Sequence, residues 1–175
     1  MPGTHDYWPT IGAAVVVYVD AAIYHDDART ALDAVRALAI RYGPRSLLDF
    51  AAVLLLDVAH NCPVQYRTPE GRPDARALTQ DRPVDAQRIA DTAALVAQFH
   101  GRPVTDEGLR AAEQQAEALT DVRPLIQVAL DAAPRLSGIA AALRPAGGDL
   151  HAISAVISLA TVALARVIHP PDSPG

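Results

Sequence analysis

The stretch SLLDFAAVLLLDVAH, residues 46–60, decides the fold class. Ser46 followed three residues later by Asp49 resembles a capping box, and the run behind it is apolar nearly all round the 3.6-residue repeat. A helix with so narrow a polar stripe is stable in water only when other elements surround it, so it is placed at the centre of a helical domain.

A second segment has the same character. Residues 150–168 carry no charge before Arg166, begin after Asp149 as a cap, and stop at Pro170 and Pro171. The uncharged run from Leu150 to Ala165 is 16 residues, slightly short of the ~17 to 25 residues that a spanning helix needs. The sequence therefore reads it as a second buried core helix, with C-terminal membrane attachment as the disfavoured alternative.

Outward from this pair the breaks fall at Pro and Gly. Ala31, Val35, Leu38 and Tyr42 recur at three- and four-residue spacing, opposite Arg29, Asp33 and Arg36. This predicts an amphipathic helix over 27–42, capped by Asp26 or Asp27 and closed by Gly43 and Pro44. Residues 11–23 are apolar except for Asp20, and Val15–Val19 favours a strand by propensity. No second strand candidate of that quality exists for it to pair with, so a helix capped by Thr10 is assigned.

Residues 61–82 contain Pro63, Pro69, Gly71 and Pro73 and read as a long loop. Further helices are expected over 83–100 and 105–119, the latter the most polar. The pattern over 121–143 is helical, with a break expected before Pro134, which lacks the N–H that the ladder needs. The expected architecture is all-α: one domain over 1–175, a bundle of six or seven helices with 47–60 and 150–168 as the buried central pair. Residues 1–9 and 170–175 are expected to be flexible ends, and no internal repeat is found.

Composition bounds the function. Half of the 175 residues are apolar, enough for a sizeable core without disulfides or metals. There are 35 alanines, 15 arginines and no lysine, a bias of a GC-rich genome that also removes Schiff-base and phosphate-loop lysine chemistry. A net charge of −5 with scattered arginines gives no basic stripe for nucleic acid. Cys62 is the one cysteine, and no Arg or Lys precedes Arg29 to form a signal-peptide n-region, so a reducing cytoplasm is the expected location.

The residues with chemically competent side chains gather at two helix ends. His25, Asp26 and Asp27 follow the first helix; Asp57, His60 and Cys62 end the third. Helices joined by short connections run antiparallel, so the first and third point the same way and these ends share one side of the bundle. Imidazole, carboxylate and thiolate are the ligands of a tetrahedral zinc site, which makes His25, Asp57, His60 and Cys62 the metal candidates. Their spacing matches no defined ligand motif, and Asp49, Asp57 and His60 also read as the wet stripe of a buried helix.

Cys62 precedes Pro63 at a helix C-terminus, where the dipole disfavours a thiolate nucleophile. Gly147 and Gly148 before Asp149 read as a helix stop, because the cap carboxylate already takes the donors that a phosphate would need.

No catalytic residue and no cofactor are assigned. The leading expectation is a non-enzymatic helical interaction module, an adaptor, regulator or assembly subunit that binds a protein partner or itself. An enzyme or ligand-binding bundle with its site at the His25/Asp57/His60 end is the competing reading.

Overall fold

The computed structural model describes residues 6–80, 122–132, 134–147 and 150–170. Within them lie seven α-helices and no strand: α1 Tyr7–Val19, α2 Ala28–Tyr42, α3 Ser46–Asn61, α4 Ala75–Leu78, α5 Arg123–Asp131, α6 Leu136–Leu143 and α7 Leu150–Ile168. The protein is all-α, as its two apolar runs require. The helices expected over 83–100 and 105–119 lie outside the described residues, as do 1–5, 171–175, Gly148 and the Asp149 cap; residues 7–9, expected to belong to a flexible end, are the first turn of α1.

The central pair is α3 and α7, which share the largest interface of any two elements described. On α3, Leu47, Phe50, Ala51, Ala52, Leu54, Leu55 and Val58 are fully buried, and α1, α2, α5 and α6 also pack against it. On α7 every residue from Ala155 to Leu164 is buried, so its uncharged run is accounted for by the core. One hydroxyl inside that run is organised by two hydrogen bonds. Thr161 Oγ1 donates to Ile157 O at 2.7 Å, and its free lone pair accepts from Tyr18 OH at 2.9 Å, tying α1 to α7.

Residues 11–23 are helical, and α1 starts earlier than its apolar run. Asp6 stands at the N-cap without a side-chain cap bond, and Thr10 N–H donates the first helical bond to Asp6 O. Pro9 is accommodated because first-turn residues need no N–H partner. Tyr7 donates from its hydroxyl to Asp49 of α3 and stacks edge-on against Tyr42 at the end of α2. The start of α1 thus meets the end of α2, so the two helices are antiparallel. Past Val19 the helix widens into a π turn, Asp20–Tyr24.

Asp27 caps α2, accepting from Thr30 N–H at 3.1 Å and Thr30 Oγ1–H at 2.6 Å. Gly43 closes it with φ +86 and ψ 171, a conformation essentially restricted to glycine. The expected capping box at Ser46 does not form. Ser46 is the first residue of α3 and buried, and its hydroxyl donates back to Gly43 O at 2.7 Å. The break before Pro134 falls between α5 and α6, as the missing N–H dictates.

Residues 61–80 differ from the expected long loop. Val64–Tyr66 forms a 3-10 turn, a single bridge pairs Arg67 with Pro73, and Asp74 caps α4 by accepting from Arg76 N–H at 3.0 Å. Gln127 of α5 holds the segment. Its Oε1 accepts from Ala75 N–H at 2.8 Å, and its Nε2 donates to Pro73 O at 2.9 Å. Cys62, Tyr66, Ala75 and Leu78 are thereby buried in the common core. The chain breakers shape a docked turn here, with Gly71 taking φ +85 at its tip.

Candidate functional site

Each of the four metal candidates is engaged locally. His25 ends the π turn, fully outside the core, with Nδ1 3.0 Å from Asp20 O. A carbonyl only accepts, so Nδ1 carries the hydrogen and donates. His60 Nε2 faces Pro134 O at 3.3 Å and donates in the same way, linking the end of α3 to the α5–α6 break. Asp57 lies one turn before His60; burial raises its carboxyl above the usual carboxylate range, with His60 opposing.

Cys62 is buried with its thiol directed at the carbonyls of Tyr66 and Pro63, both at 3.6 Å, and burial pushes its pKa up. A thiol held neutral and out of water is a poor ligand and a poor nucleophile.

Among the described residues no three His, Cys, Asp or Glu side chains are grouped so as to hold a metal. Parallel helix ends bring backbones to one side of a bundle but do not aim side chains at one point. Replacing Asp57 with Asn and His60 with Gln together is expected to change stability by about 0.5 kcal/mol or less. Zinc is expected to leave the melting temperature of the unaltered protein unchanged. A steep loss, together with a zinc-raised melt in the unaltered protein only, would restore the metal reading.

The feature the sequence analysis missed is the outer face of α1. Ile11, Val15, Tyr18 and Ala21 turn inward and are buried. On the opposite side Val16 is 69% exposed, Val17 45% and, after the π turn, Tyr24 56%, whereas Trp8, 40% exposed, lies within about 20 degrees of the buried Val15. Pro9 and Ala13 precede Val16 on this side and are also exposed. At 100 degrees per residue Pro9, Ala13, Val16 and Asp20 fall within about 60 degrees of one another, so they form one stripe. Asp20 is its one charged residue. Over Gly12 there is open space where a side chain would stand.

This face is rigidly presented. At one end Tyr7 is anchored to Asp49, its phenol raised far above the ordinary tyrosine range by burial and by that hydrogen bond. In the middle Tyr18 stacks edge-on against Phe50, with centroids 5.0 Å apart, while donating to Thr161. At the far end Tyr24 stacks edge-on against His169 beyond α7. The signal was present in the sequence: a run with only Asp20 as a polar residue has no polar face to turn outward, so any exposed side must be apolar.

The chain matches no protein-family model, no curated protein and no solved structure.

Proposed function

We propose that this chain is a non-enzymatic helical interaction module, and that the outer face of α1 is where it receives a protein partner. The observation that carries the reading is the exposed stripe Pro9, Ala13, Val16 and Val17, continued past the π turn by Tyr24 and interrupted only by Asp20. Apolar side chains scattered singly on a surface are ordinary, as at Val64 and Val128, but a contiguous apolar face is characteristic of an interaction site. Tyr24 at its far end is of a residue type that dominates interface energetics.

A bilayer is the other occupant that length and composition allow, since Tyr7–Tyr24 is 18 residues with mean hydropathy 1.2. The inner half of the helix speaks against it. Ile11, Val15, Tyr18 and Ala21 belong to the same core cluster as α3 and α7, and extracting them would expose that core.

The reading is tested by placing a photo-crosslinking amino acid at position 16, and separately at 128, in the cell that makes the protein. Position 16 is expected to yield one discrete protein adduct and position 128 none. A lipid adduct at 16, or no adduct at all, would contradict the reading.

A further inference from the structure

Residues 62–80, between the end of α3 and the end of α4, make two separate sets of polar contacts. One set lies inside the segment. Arg67 Nε donates to Cys62 O at 3.0 Å and its terminal nitrogen to Gly71 O at 2.8 Å, while Asp74 N–H donates to Tyr66 O at 2.8 Å and Thr68 N–H to Arg72 O. The other set joins the segment to its surroundings, and among the described residues it reaches one element only, α5. Gln127 accepts from Ala75 N–H and donates to Pro73 O, Arg123 Nε donates to Thr79 Oγ1 at 2.9 Å, and the Arg72 guanidinium stands 3.9 Å from the Asp131 carboxylate. The apolar anchors of the segment are Tyr66, Ala75 and Leu78, and its one helix, α4, has four residues and packs against α5 and α7.

We infer that residues 62–80 are a strap that lifts off α5 in one piece while the rest of the bundle stays folded, with Gln127 as its latch. The internal bonds survive lifting, so its cost is confined to the α5 bonds and the few apolar side chains that the strap buries. Units of this kind open at a lower free energy than the whole fold. Gln127 is the latch because one amide serves both directions, accepting from a strap N–H and donating to a strap carbonyl, and Asp131 Oδ1 at 2.9 Å orients its nitrogen. Losing that amide strands the donor and the acceptor only while the strap is shut, which raises the closed state against the lifted one. The Arg72–Asp131 pair is exposed and adds little.

Cys62 at the hinge of the strap reports the motion. It is the one cysteine of the chain and 5% exposed when the strap is shut, packed in the same core as α3 and α5. The probe is an aromatic disulfide: the Cys62 thiolate attacks one sulfur, a mixed disulfide forms, and the coloured aromatic thiolate leaves. Labelling of the full chain is followed from zero urea to the unfolding midpoint, against a short unstructured peptide carrying the same cysteine. At low urea, labelling is expected to be faster than global unfolding allows and nearly independent of urea, joining the steep global dependence only near the midpoint. Hydrogen exchange at Ala75 N–H should show the same two regimes. Gln127→Met keeps the bulk of the side chain without its amide and should speed low-urea labelling at least about tenfold. Ile11→Val trims the core at α1, away from the strap, and should leave that rate unchanged.

Labelling that follows the steep global dependence at every urea concentration would mean that the strap leaves only with the whole fold, and would overturn the inference. Labelling of Gln127→Met at the unaltered rate would show that the strap departs together with α5, its bonds to Gln127 intact, and would overturn it as well. Acceleration by Ile11→Val in proportion to its loss of global stability would have the same meaning as the first result. Should Gln127→Met fail to fold, the urea dependence of Cys62 labelling and of Ala75 exchange in the unaltered protein still decides.

Discussion

Phe50→Ala is expected to destabilise the protein by about 3–5 kcal/mol, toward the upper end of that range. Phe50 is fully buried near the start of α3, and its ring meets Tyr18 edge-on at an interplanar angle of 84°. An edge-to-face pair adds about 0.5–1.5 kcal/mol beyond the area it buries. The size of the loss depends on whether the cavity can collapse. Tyr18 is the neighbour that would have to move, and its hydroxyl is held by Thr161, whose own hydrogen is committed to Ile157 O. Urea unfolding with an unchanged m-value measures the loss, and Phe50→Leu should recover most of it. A loss below about 1 kcal/mol would mean that the α1–α3 junction is not packed as described.

Leu55→Ala is expected to cost about 2–5 kcal/mol for the same transfer-plus-cavity reason, one and a half turns further along α3. Leu55 is fully buried, and Ala51, Ala52, Leu54 and Val58 around it on the same helix are buried as well. A helix enclosed on most sides has no solvent-facing direction in which to relax. A loss below about 1 kcal/mol would turn this part of α3 into an exposed face.

Both substitutions fall where the sequence was most legible. The two runs apolar on nearly all sides, 47–60 and 150–168, admit only a buried position, and punctuation at Gly43, Pro44 and Pro170 bounds them. Pro134 marks the α5–α6 break for a reason that needs no tertiary information. The Asp27 cap was legible too, because a capping carboxylate acts within its own turn.

What failed was legible only through long-range partners. Ser46 spaced from Asp49 has the pattern of a capping box, yet Asp49 is taken by Tyr7, distant in sequence, and Ser46 turns back to Gly43. Residues 61–80 look structureless because Pro63, Pro69, Gly71 and Pro73 break periodicity; what orders them is Gln127, on a different helix. The His25, Asp57, His60 and Cys62 grouping rested on helix direction alone, and helix direction does not aim a side chain. For α1 the pattern gave the element but not its environment, since a run that is apolar on both sides does not say which side is covered.

The central claim is that the outer side of α1 is apolar for a partner and carries no weight in the fold. A thermal and urea comparison of Val16→Asp/Val17→Asp with the unaltered protein tests it most directly. Each substitution at a truly exposed position changes stability by about 0.5 kcal/mol or less, so the pair should lie within about 1 kcal/mol of the original with its helical spectrum intact. A loss of several kcal/mol would show that the protein itself covers this face, and would contradict the account.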